Sequence, residues 1–207
     1  MHFQYLVEDQ SGAALIRILM QKIVELYPNA TYDCKGFRGI GGFTRKNTIK
    51  ETKTGKLLND LATYFPSVII VVLDSDDHDV QQFRSELEAV AIQNMIKIDH
   101  VFCLAVEEIE AWLLGDRHAL LSAYPHAKMH VLNTYVQDSI CGTWEVLADA
   151  VYPGGTSKLS REHASFIEIG KLKAEWAQNI GIHMDLKSNE SPSFNDFIHE
   201  IERRLVS

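Results

Sequence analysis

The chain has 207 residues, enough to bury roughly 70% of its unfolded surface without disulfides or a structural metal. Hydrophobic residues at 46% and charged residues at 23% exclude disorder and fibrous repeats, and no apolar run reaches the roughly 18 residues of a membrane span. A net charge of −8 argues against a protein that coats nucleic acid over its whole surface. The start, MHFQYLVEDQ, lacks the basic and apolar regions of a secretion signal. Cys34, Cys103 and Cys141 are odd in number and far apart, which predicts buried thiols in a reducing, cytoplasmic setting.

In chain order, Phe3 to Val7 reads as a short strand. From Ala13 the apolar positions Ala14, Leu15, Ile18, Leu19, Ile23 and Leu26 follow helical spacing, with Pro28 beyond the end. From Cys34 the chain is rich in Gly, Thr and Lys without a sustained period, which predicts a long loop or an irregular strand pair. Its charge is distinctive. Between Lys35 and Lys56 lie seven basic residues and the single acid Glu51, so this stretch carries +6 and the remainder −14. A helix through Leu57, Leu58, Leu61 and Phe65 stops at Pro66.

Ser67 to Leu73 contains six consecutive aliphatic residues, the mark of a strand covered on both faces in a parallel sheet. A helix from Val80 to Met95, a strand from His100 to Val106 and a helix from Glu107 to Leu114 follow. This alternation predicts an α/β doubly wound sheet. After Asp116 helices are expected near Arg117–Tyr124, Trp144–Val151, Gly170–Asn179 and Ser193–Leu205. The organisation expected is therefore an α/β domain over 1–116 with a C-terminal α-helical appendage over 117–207.

Ligands of open parallel sheets bind beyond the carboxyl ends of the strands, and three strands here end in acid. They run into Glu8-Asp9, into Asp74-Ser75-Asp76-Asp77-His78-Asp79, and into Glu107-Glu108-Ile109-Glu110. If the strand stays extended past Leu73, Asp74 and Asp76 point to one side. Hard divalent cations take such oxygen ligands, Mg²⁺ commonly with one or two carboxylates plus substrate phosphates, and the basic stretch would supply phosphate contacts. Each piece also has a plainer reading: Asp favours turns and helix N-caps, and Glu complements a helix N-terminus. The coincidence at three strand ends favours a site.

Other motifs are weaker. His126 and His130 lack the rest of a zinc-protease motif, and Gly36 to Gly42 fits neither dinucleotide nor P-loop spacing. Trp112, Trp144 and Trp176 fall on helices, where core packing is the expected role. No nucleophile elbow is present.

A glutamate closing the first strand (Glu8 in YLVEDQSG) and a DxD closing a later one (Asp74 and Asp76 in VVLDSDD) resemble the Toprim domain. That domain is the metal-binding module of bacterial primases, topoisomerases, small RNA-maturing nucleases and overcoming-lysogenization-defect nucleases. AVEEIEAWLLGD, TWEVLADAVYPGG and NESPSFNDFIHEI resemble a family of Toprim-like bacterial proteins of unknown function, often associated with ATPases in phage-defence loci. One departure is that Asp9 stands where Toprim glutamates are commonly followed by glycine. The tyrosine nucleophile of topoisomerases cannot be placed here.

The resemblance implies a Toprim-like fold and a Mg²⁺- or Mn²⁺-dependent nuclease acting on DNA or RNA. Asp74 and Asp76 would be metal ligands. Glu8 would be a general base or a ligand to a second ion, and Glu108 or Glu110 would complete a second site. Lys53 and Lys56, with Arg45 and Lys46, would hold substrate phosphates. The alternative is a catalytically silent module that docks on an ATPase partner. A phosphatase with an aspartate nucleophile is disfavoured, because DSDDHDV lacks the DxDxT pattern.

Overall fold

The computed structural model describes residues 1–36, 67–93, 95–162 and 165–206. Four strands, β1 (His2–Val7), β2 (Thr31–Gly36), β3 (Ser67–Asp74) and β4 (His100–Ala105), form one sheet in the order β2-β1-β3-β4, every pair parallel. The protein is therefore an α/β protein of Rossmann-like type. Parallel strands need crossovers. Helix α1 (Gln10–Leu26) joins β1 to β2, and α2 (Val80–Gln93) joins β3 to β4.

Side-chain alternation divides the core between the two faces. Phe3, Tyr5, Val7, Val68, Ile70, Val72, Cys103 and Ala105 face α1, while Leu6, Ile69, Val71, Leu73, Phe102 and Leu104 pack against Phe83, Leu87 and Ala91 of α2. This two-sided burial is why β3 reads as an unbroken aliphatic run. β2 escapes that logic. It is an edge strand in which exposed and half-buried residues alternate, and TYDCKG carries no apolar period, so the long loop or irregular strand pair expected from Cys34 overlaps only its last three residues and its start was not read. Pairing with β1, from His2↔Thr31 to Val7↔Gly36, overrides its weak propensity. The helix expected over Leu57–Phe65 lies outside the described residues.

The chain after β4 forms α3 (Glu110–Leu114), α4 (Arg117–Ala123), α5 (Met129–Leu132), α6 (Thr143–Val151), α7 (Gly155–Glu162), α8 (Phe166–Gly181) and α9 (Pro192–Leu205). These helices join the α1 side of the sheet and share its core through Trp112, Leu120, Leu147, Leu159, Trp176 and Phe197. α8 lies against α1. Short α5 and α7 were not expected from the sequence. Among the described residues no helix is long and apolar enough to cross a membrane.

The SPSF segment has a structural explanation. Ser191 caps α9 by accepting the Phe194 amide at 3.2 Å, with Pro192 in the first turn. Asp138 accepts both the Ser191 hydroxyl and the Ser193 amide at 2.7 Å. The Ser193 hydroxyl accepts the Trp112 indole N–H at 2.9 Å, and Asn189 donates to the Trp112 carbonyl at 2.8 Å. Trp112 is fully buried, with the Phe197 ring 4.9 Å and the Phe194 ring 5.6 Å away. The motif thus ties α9 to α3, the helix that follows the third acidic strand end. At the far end of α9, Arg204 grips Asp99 just before β4 through bonds of 2.7 and 2.9 Å.

Removing the carboxylate of this latch leaves the Ser193 amide without its acceptor and the Ser191 hydroxyl with only Ser193 Oγ, 3.2 Å away. Asp138→Ala is expected to cost about 1–3 kcal/mol, lowering the melting temperature by about 3–10 °C. Asp138→Asn, which keeps an acceptor and tolerates the positive φ of 53° at this residue, is expected to lose less. Thermal melts followed by circular dichroism check both.

Candidate functional site

The strand order reverses between β1 and β3: β2 lies on one side of this pair and β4 on the other. Open sheets form their ligand crevice at such a switch point, outside the carboxyl ends of the strands. The two acids expected there meet. The Glu8 amide extends the ladder by donating to Val72 O at 3.1 Å, and the Asp74 amide donates to Glu8 Oε2 at 2.9 Å. The Asp74 carboxylate is oriented in turn, with Oδ1 accepting the Ile109 amide at 3.0 Å.

Asp9 is committed elsewhere. It caps α1, accepting the Gly12 amide and the Ser11 hydroxyl at 2.7 Å each. Gly12 is required by the same tight strand-to-helix turn, since a Cβ there would lie 2.8 Å from Val7 Cγ1. The departure from the glutamate–glycine pattern therefore corresponds to a local N-cap.

Asp76 does not share a side with Asp74 through continued extension. Ser75 is buried, and Asp76 adopts φ 48°, so the strand breaks into a turn. The break is held from β4, because the Ser75 amide donates to Ala105 O and the Asp76 amide to Glu107 O, both at 2.9 Å. Asp76 is exposed and lines a cavity of about 260 Å³ with Asp77, Glu107, Glu108, Ile140, Gly142, Trp144 and Glu145.

The third acidic run is also not helical from its start. Glu107 has φ 59°, and α3 begins only at Glu110. The cause is long-range: the Glu107 carboxylate accepts the amides of Cys141, Gly142 and Thr143 at 2.8–3.1 Å, and the Thr143 hydroxyl as well. Burial alone would raise the Glu107 carboxyl, but these donors outweigh it and hold its pKa below the ordinary value. Glu107 is thus the cap of α6 and shapes the cavity wall.

Glu108 and Glu110 converge on a residue that the sequence reading did not single out. Lys173 of α8 places Nζ 3.4 Å from Glu108 Oε1 and 3.2 Å from Glu110 Oε2. Its side chain is 13% exposed and that of Glu110 is fully buried. Glu108 also accepts the Trp144 amide at 3.2 Å. Among the described residues neither Glu110 oxygen receives a hydrogen bond of good geometry, so the ion pair with Lys173 is its compensation. The signal for Lys173 was present in the sequence. It falls on the inward stripe of α8 with Ile169, Trp176, Ala177 and Ile180, an apolar face where a lysine requires a buried partner.

Among the described residues one ammonium faces several carboxylates at this edge. Burial, then the neighbouring Glu8 charge, pushes the Asp74 carboxyl well above the ordinary range. Burial likewise raises Glu110 and lifts Glu108 to about 7, against the opposing pull of Lys173. Burial would lower Lys173, but Glu110, Glu108, Asp74 and Asp9 together drive it up, so it stays charged. The acids rise chiefly because they are buried, with mutual repulsion adding to it, whereas the lysine rises because carboxylates surround it.

Among the described residues no group of three or more His, Cys, Asp or Glu side chains converges closely enough to hold a metal ion as it stands. The donor set nevertheless suits a hard divalent cation, because among the described residues the carboxylates at this edge outnumber the cations. Lys35 is exposed on β2. The expected phosphate contacts Arg45, Lys46, Lys53 and Lys56 lie outside the described residues. No family model, curated protein or solved structure matches the chain.

The raised carboxyl of Glu108 gives a pH dependence with a definite sign. An acid whose pKa is higher in the folded state supports folding below its ordinary value near 4.3. That support is lost as pH rises through about 7. Glu108→Gln is therefore expected to melt about 3–6 °C above wild type at pH 8 in metal-free buffer. At pH 4 the two should melt together. Paired melts with chelator present check this.

Proposed function

We propose that this chain is a divalent-metal-dependent phosphodiesterase of Toprim type that cleaves DNA or RNA. The observation that carries the reading is the meeting of Glu8 and Asp74 at the switch point between β1 and β3, joined by the 2.9 Å bond from the Asp74 amide. These are the positions at which the glutamate and the first aspartate of the Toprim pattern fall.

In this reading Asp74 would hold one Mg²⁺ or Mn²⁺ ion, and Asp76 and Glu108, which line the adjoining cavity, would serve a second. A bound ion supplies charge for the phosphate oxygens and a more acidic water. The chain's own groups do the rest. Glu8 takes the proton of the attacking water as its oxygen bonds to phosphorus and the P–O bond to the leaving oxygen breaks. The Ile109 amide fixes the orientation of the Asp74 carboxylate. Glu107 holds the 141–143 backbone, so that Trp144 and Glu145 form the far wall of the cavity. The resemblance further suggests a cytoplasmic effector that works with an ATPase partner in phage defence.

A second reading has one observation in its favour. Lys173 already pairs with Glu108 and Glu110, so part of the acid is balanced by the fold alone, as a silent module docking on an ATPase would need.

Asp74→Asn separates the two readings. A nuclease should lose at least 10²-fold of its Mn²⁺-dependent cleavage of mixed single- and double-stranded DNA and RNA, with its melting temperature in chelator unchanged or raised. Unaltered cleavage in the variant would remove Asp74 from the site. Absence of cleavage in wild type with the ATPase supplied would favour the silent module.

A further inference from the structure

We propose that Lys173 is the protein's own counter-ion for the strand-end carboxylates and competes with the divalent cation for them. The inference rests on the metal-dependent reading above and adds to it a residue that sets metal affinity.

The geometry is specific. Nζ lies between Glu108 Oε1 at 3.4 Å and Glu110 Oε2 at 3.2 Å, and these two acids belong to the same turn that presents Ile109 to Asp74. Glu110 is fully buried, and among the described residues its oxygens find no hydrogen-bond donor of good geometry. Without a cation it would be an isolated buried charge, which is costly. The ammonium therefore has a fixed task whenever no metal is bound.

Two features suit Lys173 to yield its place. Its stem rises from α8, which is packed along α1, so the backbone stays put while four single bonds swing the charged head. A lysine head is also a compact point charge, without the planar fork that locks an arginine onto a carboxylate. A dication on Glu108 would sit within a few ångströms of the ammonium, and like charges at that range repel strongly in a partly buried site. The two cations cannot both be held at full strength, so Lys173 weakens metal binding in exchange for a folded metal-free state.

The test is calorimetric titration of Mn²⁺ and Mg²⁺ into wild type, Lys173→Met and Lys173→Arg, with cleavage left out. Lys173→Met is expected to bind at least tenfold more tightly than wild type, about 1.4 kcal/mol, and Lys173→Arg no more tightly than wild type. Equal or weaker binding by Lys173→Met, with wild type binding normally, overturns the competition and leaves the metal-dependent reading intact. No binding by either protein overturns both. Amine acylation of wild type read by mass spectrometry keeps the proposal testable if Lys173→Met fails to fold. Labelling of Lys173 should rise several-fold when Mn²⁺ is added, and labelling unchanged by saturating Mn²⁺ overturns the proposal.

Discussion

Among the described residues, excess negative charge at the carboxyl edge of the sheet is the constraint around which the rest of the structure is arranged. Parallel topology sends β1, β3 and β4 out at the same edge, and each runs into acid. Water would solvate these groups in an open loop, but here several are wholly or partly buried. Each is satisfied by a different means. Asp9 is absorbed by the N-terminus of α1, Glu107 by the backbone entering α6, and Asp74 by the amide of Ile109. Glu8 accepts the amide of Asp74, so one acid is positioned by the backbone of another. What these amides leave over falls to Lys173.

This division of labour explains why the helices after Asp116 belong to the site. The amides that hold Glu107 come from residues 141–143, the ammonium that holds Glu108 and Glu110 comes from α8, and α3 is pinned to α9 through Trp112 and the Asp138 latch. A sheet with α1 and α2 alone would lack all three supports. The same contacts account for the positive φ at Asp76 and Glu107. Non-glycine residues hold such conformations where surrounding contacts over-determine them, and here the Asp76 amide on Glu107 O joins the two strained turns directly.

What could be read from the sequence divides along the same physical line. β1, β3, β4 and the longer helices were legible because burial on one or two faces leaves a periodic apolar record. Glu8 and Asp74 were legible because strand ends in a parallel sheet must share an edge. β2 was not, since an edge strand with polar alternation resembles a loop until its partner is known. Nor was the turn at Asp76, which depends on Ala105 and Glu107 some thirty residues away. Glu107 belongs with these: its sequence suggested a helix acid, whereas its carboxylate caps a helix that begins far downstream. Long-range hydrogen bonds leave no period to read.

Lys173 shows where a local rule, applied in full, would have reached further. An amphipathic helix with a lysine on its inward stripe states that a buried carboxylate must be found, and the candidates were few. Glu110 follows the last strand at a position that becomes fully buried, and it needs a cation for the same reason that Lys173 needs an anion. Neither residue is interpretable alone. Together they fix the position of α8 over the sheet edge and put a positive charge where hard-metal chemistry would place one. Whether an edge of this kind serves catalysis or only holds the fold together is then decided by how its carboxylates share their affinity between an ammonium built into the chain and a dication from solution. Among the described residues one lysine leaves burial and mutual repulsion uncompensated at Asp74, Glu108 and Glu110 alike, and all three carboxyls stay above their ordinary range.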